Sequence, residues 1–152
     1  NTADAYHITA PHPEGIGAIR AIKLAKEEGN INCAPENIYF NAHGTGTSMN
    51  DKMETAAIKE VFGADAAKLH ISSTKSMTGH MLGATGAAEA MASILALKEG
   101  IVPPTIHYQE KDPSCDLNYT PNKAVKTDLK FAMSTSLGFG GHNGCIAFKA
   151  MD

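Results

Sequence analysis

HISSTKSMTGHMLGATGAAEAMASILALKEG, residues 70–100, decides the architecture of this chain. It opens on a short apolar run, residues 70–74, that reads as a strand, and passes through Lys75 into a glycine-rich segment around His80. From about residue 83 to residue 99 the spacing predicts a helix ending at Gly100, with Ala84, Ala87, Ala88, Met91, Ile94 and Leu95 on one stripe. Strand, glycine-rich turn and helix in that order are the unit of an α/β sheet. A histidine at the carboxyl end of such a strand lies where these sheets hold their ligands.

Working outward, the pattern recurs in IYFNAHGTGT, residues 38–47, where a strand over residues 38–42 ends at His43. Two such edges can converge on one pocket. A helix is expected over residues 14–28, with Ile16, Ile19, Ala21, Ile22 and Ala25 at helical spacing and Gly29 as its stop. Another is expected over residues 51–62, with Asn50 as cap, Asp51 in the first turn and Gly63 as stop. Pro103-Pro104 breaks the chain, and the Pro-, Asn- and Asp-rich stretch up to about Lys126 reads as a long surface loop. Residues 129–136 and 145–149 read as strands joined through LGFGGHNG, residues 137–144, a hairpin around a glycine turn. The order is αβαβαββ, an α/β layered domain. Because the opening stretch, residues 1–13, is polar, the first helix is expected to lie on a strand preceding residue 1.

The 152 residues suffice for one domain. A net charge of −3 with scattered Lys and Arg argues against a nucleic-acid partner, which requires a clustered basic face. No signal peptide is expected, and the longest uncharged stretch, residues 76–88, is Gly-, Ala- and Thr-rich rather than a membrane span. Cys33, Cys115 and Cys145 are far apart and form no CxxC pair, so they read as reduced, structural, cytosolic cysteines. The sequon at Asn118 is set aside for want of a secretory signal.

Several polar residues admit two readings. Glu89, set among alanines and Met91, is either an exposed helical glutamate or a buried carboxylate needing an ion or ion pair. Asp51 and Glu54, three apart, are either a solvated first turn or an inward-leaning pair whose cation would be Lys75. His7, His12, His70 and His107 have no partner at ligand spacing and read as structural. Gly15-Ile16-Gly17 lacks the third glycine of a dinucleotide loop.

NAHGTGT with Asp51 and Glu54, SSTKSMTGHMLGATGAAE, VPPTIH and LGFGGHNG, in that order, resemble the C-terminal half of a type II β-ketoacyl-acyl carrier protein synthase, an elongating condensing enzyme. The resemblance covers essentially the whole chain. It implies a thiolase-like α/β/α layered half-domain with a mixed sheet, over residues 1–152. It also implies that the nucleophilic cysteine belongs to a preceding half, since none of Cys33, Cys115 or Cys145 stands in the family's nucleophile motif.

The implied chemistry is decarboxylative Claisen condensation, with His43 and His80 as neutral donors to the enolate oxygen. Lys75 would bias His80 toward neutrality while Asp51 and Glu54 hold the ammonium. Phe139 matches the family's gate, its backbone N–H joins the acyl oxyanion hole, and Thr45 and Thr47 match the pair that bonds the pantetheine arm. No cofactor is required. Asn41, Glu89, Ser134 and Thr135 match a structural cation site, although the family usually has Asn at position 135 and Phe at position 137. His142, where threonine is commoner, reads as a packing residue. Acyl carrier protein is the implied partner, homodimer the implied assembly and cytoplasm the implied location, with no membrane. A polyketide-type ketosynthase, a non-catalytic chain-length partner and a histidine-based metal scaffold are the alternatives.

Overall fold

A computed structural model describes residues 1–151. In chain order its elements are β1 (Thr2–Ala3), α1 (Ile16–Glu28), β2 (Ile38–Asn41), α2 (Ser48–Phe62), β3 (His70–Ser72), a single-turn α3 (Lys75–Thr78), α4 (Thr85–Glu99), β4 (Ile101–Val102), β5 (Val125–Lys126), β6 (Phe131–Gly138) and β7 (His142–Lys149). The main sheet runs β1-β7-β6-β2-β3. β2 is parallel to both β3 and β6, and β7 is antiparallel to β6 and to β1, so the sheet is mixed. Helices α1 and α2 cover one face and α4 the other, the expected α/β/α layering.

All four residues of β2 are buried because the strand is central and covered on both faces. Its alternation divides the protein. Ile38 and Phe40 enter the large core with Ile22 of α1, Ile58 of α2 and Met133 of β6, while Tyr39 faces the α4 side with Ala96, Val102 and Ala132. Truncating fully buried Ile22 or Ile58 to alanine would cost about 2–5 kcal/mol each.

Several expectations change. Residues 1–13 are not wholly loop: Thr2 and Ala3 pair with Asn143 and His142 as an edge strand beside β7, on which α1 lies. Two backbone-paired residues are too few to show alternation in a sequence. Helix α2 begins at Ser48 with Thr47 at its N-cap, which places Asn50 inside the first turn. The hairpin strands run further than their apolar cores suggest. Gly138 pairs with His142, leaving only Phe139, Gly140 and Gly141 in the turn. Gly141 has φ of 79°, and a Cβ there would lie 2.7 Å from the backbone nitrogen of Ala5, so the turn and the opening loop require glycine.

The loop between β4 and β5 is anchored rather than free. Its Thr120 hydroxyl donates to the Ile71 carbonyl at 2.8 Å, the Asn118 carbonyl accepts the Ile71 N–H, and Cys115 and Leu117 are buried. It thereby covers the β3 edge.

The α4 stripe departs most from expectation. The helix turns Thr85, Glu89, Ser93 and Ala96 inward at a spacing of four, four and three residues. Met91, Ile94 and Leu95 of the apolar stripe are instead exposed, at 60%, 47% and 56%. The helix thus exposes an apolar face and buries a polar one.

Candidate active site

His43 is the second residue beyond β2, where the strand hands over to the HGTG turn. The Glu54 carboxylate, buried in α2, accepts the main-chain N–H of His43 at 2.8 Å and that of Gly44 at 2.9 Å. The Thr135 hydroxyl donates to the same carboxylate at 2.6 Å and itself accepts the His43 N–H at 3.0 Å. Burial pushes the Glu54 carboxyl above its ordinary value, and the accepted bonds from Gly44, Thr135 and His43 oppose that. Gly44, at φ of 39°, would place a Cβ 2.5 Å from Ser73, so only glycine lets the turn lie against β3.

Lys75 follows β3 and opens α3, and it is buried. Its ammonium lies 2.5 Å from Glu89 of α4, itself 2% exposed, which resolves the two readings of Glu89 in favour of an ion pair. This corrects the expected pairing, for Lys75 bonds neither Asp51 nor Glu54. Glu54 is occupied by the HGT turn, and partly buried Asp51 accepts from the Asn50 amide at 3.2 Å. Burial raises the Asp51 carboxyl, with the Asp112 charge adding to it, and burial likewise raises that of Glu89 against the pull of Lys75. The polar i, i+4, i+8 stripe Thr85-Glu89-Ser93 was the sequence signal for the inward glutamate.

The two histidines meet. Their ring centroids are 5.4 Å apart with planes at 87°. Burial, the Lys75 ammonium and the His80 ring together push His43 down to about 3, so its imidazole is neutral throughout the physiological range. Its Nδ1 is buried without a protein partner. His80, beyond α3, is exposed, and its Nδ1 accepts the Leu82 main-chain N–H at 3.1 Å. An amide N–H can only donate, so the neutral ring carries its proton on Nε2.

Apart from Glu54 and Thr135, the other expected residues are not joined to the histidine pair by any hydrogen bond or ring contact among the described residues. Thr45 and Thr47 bond each other through their hydroxyls at 2.9 Å, and Thr45 lines a cavity of about 380 Å³ together with Asp51, Glu54, Lys75, Ser76 and Tyr119. Phe139, 76% exposed, projects from the hairpin turn, which the opening loop holds by Gly140 N–H to the Ile8 carbonyl and Asp4 N–H to the Gly141 carbonyl. Asn41 pairs in register with Ser134, and its amide reaches the Glu89 carbonyl oxygen at 3.5 Å and the Thr74 hydroxyl at 3.2 Å. Glu89 Oε2 is buried with no hydrogen-bond partner, which fits a cation held by Asn41, Glu89 and Ser134. The Thr135 hydroxyl is committed to Glu54 on the opposite face of β6. Cys33, Cys115 and Cys145 are free thiols. No helix among the described residues is long and apolar enough to cross a membrane.

Residues 1–109 match the family model of the beta-ketoacyl synthase C-terminal domain. The chain is 53% identical over 152 residues to 3-oxoacyl-(acyl-carrier-protein) synthase 2 of Staphylococcus aureus, covering 99% of this chain and 36% of that protein. It is 51% identical over 149 residues to the synthase of the same name from Synechocystis sp., covering 97% and 35%. Among solved structures, the ketosynthase of a type II polyketide system, bound to its acyl-carrier protein and the hexaketide, superposes with a TM-score of 0.92 at 40% identity, covering 99% of this chain and 36% of that one. A β-ketoacyl synthase from Burkholderia phymatum superposes at 0.88 with 36% identity and the same coverage. The chain spans about a third of the length of the curated relatives it matches. Carrying that domain's model over most of its length, on a ketosynthase fold, the chain belongs to the β-ketoacyl synthase family as its C-terminal domain.

Proposed function

We propose that this chain is the enolate-stabilising C-terminal portion of a 3-oxoacyl-acyl carrier protein synthase that condenses an acyl thioester with malonyl-acyl carrier protein in fatty acid elongation. The observation that carries it is the pair of imidazoles 5.4 Å apart, one held neutral by burial and the other carrying its proton on Nε2. Higher identity to the 3-oxoacyl synthases than to the polyketide ketosynthase favours the fatty acid pathway over the polyketide one.

In this mechanism the malonyl carboxylate leaves as CO2 and its bond electrons pass into the thioester carbonyl, whose oxygen becomes negative. N–H groups of His43 and His80 bond that oxygen as the charge develops, and preorganised donors in a partly dry site stabilise it more than water would. The enolate carbon then attacks the acyl thioester, a carbon–carbon bond forms, the acyl carbon–sulfur bond breaks, and the released cysteine thiolate takes up a proton. That cysteine belongs to the portion of the relatives' length outside this chain. Lys75 contributes positive potential that keeps His43 neutral, and Glu89 holds the ammonium in place.

The exposed Met91, Ile94 and Leu95 face of α4 is where the preceding portion packs, and the full-length protein assembles as a cytoplasmic homodimer. Thr45 and Thr47 bond the pantetheine arm, and Phe139 gates malonyl entry with its backbone N–H in the acyl oxyanion hole. Asn41, Glu89 and Ser134 hold a monovalent or divalent cation that takes Glu89 Oε2 as a ligand; none is needed in the bond-making steps.

The test is malonyl-acyl carrier protein decarboxylation by the full-length protein carrying His80→Ala or His43→Ala. Loss of CO2 release by at least about a hundredfold is expected, the scale of removing an oxyanion donor. Retained release in both variants would refute the assignment.

A further inference from the structure

Thr85 is the first residue of α4 and is 4% exposed. A threonine at a helix start ordinarily caps a backbone N–H, yet the cap position belongs to Ala84 and no side-chain cap bond is made. Nor does the hydroxyl bond back to the carbonyl four residues earlier, the usual alternative within a helix. Its partner is Nδ1 of His80, at 3.1 Å. That nitrogen also receives the Leu82 N–H at 3.1 Å, so in the neutral ring it is unprotonated and the Thr85 hydroxyl is the donor. Leu82 sits at φ of 51°, a conformation disfavoured for leucine and therefore held by its surroundings. His80 itself is exposed, and the edge-on His43 ring is the one aromatic neighbour of its imidazole among the described residues, so the bonds at Nδ1 carry much of its orientation.

We propose that Thr85 is a positioning residue: its hydroxyl, donating to Nδ1 of His80, holds the ring with Nε2–H directed at the substrate oxygen. The inference rests on His80 being an oxyanion donor, as proposed above. A ring bonded at Nδ1 by the Leu82 amide alone can swing about that single bond and can exchange its proton between the two nitrogens. A second donor, fixed at the start of a 15-residue helix, removes both freedoms before substrate arrives. The role belongs to catalysis and not to binding, because the oxygen requires the donor most as charge develops on it.

Three variants of the full-length protein test this. Thr85→Val keeps the branched shape and removes the hydroxyl, Thr85→Ser keeps the hydroxyl, and Thr85→Ala replaces Thr85→Val should the latter not accumulate folded. Steady-state malonyl decarboxylation and histidine nitrogen NMR of the free protein are the two readouts. Thr85→Val is expected to lower kcat roughly three- to tenfold with KM within about twofold, the size of one lost hydrogen bond. Its His80 nitrogen shifts should move toward a tautomer mixture, and Thr85→Ser should restore both readouts. Unchanged kcat and an unmixed Nε2–H tautomer in Thr85→Val would overturn the proposal, as would a serine variant as impaired as the valine one. If His80→Ala retains decarboxylation, the oxyanion assignment fails instead, while the tautomer spectra still report on Thr85.

Discussion

The Glu54 carboxylate holds His43 from below, accepting its main-chain N–H at 2.8 Å while a second oxygen takes that of Gly44. A helix-borne acid thus fixes the backbone of a strand-end histidine, and the imidazole position follows from that clamp. Glu54→Gln, nearly isosteric, sets an amide NH2 against backbone donors. Unfolding should become easier by about 1–3 kcal/mol, with malonyl decarboxylation lowered as His43 shifts. Thermal melting and CO2 release check this, and wild-type values in both would remove the clamp from the account.

Lys75 and Glu89 form a buried pair, each less than 5% exposed at the side chain. Removing one partner strands the other's charge, so Lys75→Met or Glu89→Gln alone should cost about 3–5 kcal/mol. The double variant should recover much of that loss. A double-mutant cycle by urea unfolding is the measurement, and additive losses would mean the two groups do not interact.

His43 links stability to pH. Its imidazole is held down to about 3, against an ordinary value of 6.5, so between those limits the unfolded chain binds a proton that the folded one refuses. Stability contributed by this group is therefore full above about 6.5 and declines as pH falls, by at most about 1.4 kcal/mol per pH unit. Urea midpoints between pH 4 and 6.5 should fall less steeply in His43→Gln than in the parent protein. Identical slopes would contradict the burial argument.

The apolar face of α4 should behave oppositely in two contexts. Met91→Glu with Ile94→Lys should raise the soluble yield of the 152-residue chain, since both residues are exposed in it. In the full-length protein the same pair should destabilise, because there the face would be covered. Soluble fraction and melting temperature report the two outcomes, and tolerance in the full-length protein would mean the face is free.

Much of this was legible from local signals. Glycine stops, strand-length apolar runs and the HGTGT motif located His43 just past the end of β2, because period and punctuation act over only a few residues, whereas His80 lies beyond the single-turn α3 that follows β3 and not at the strand end. The edge strand Thr2–Ala3 carried no such signal, being made by pairing with residues about 140 positions away. The inward face of α4 is likewise not set by local signals. A stripe of alanine and leucine implies burial, but which partner buries it lies outside the helix, and here the sheet takes the polar stripe.

The residue types of the site, their order along the chain and the strand ends that bear them were determined by the sequence, since propensity and motif spacing need no distant partner. Pairing was decided in space. Lys75 and Glu89 are 14 residues apart and Glu54 and Thr135 are 81 apart, so which carboxylate meets the ammonium and which clamps His43 depends on how α2 and α4 lie on opposite faces of β2 and β6. Charge complementarity alone allowed Asp51, Glu54 or Glu89 to serve Lys75. Only the packing of the layers, which puts Glu89 on the same side as the ammonium and Glu54 beneath the HGT turn, distinguishes among them.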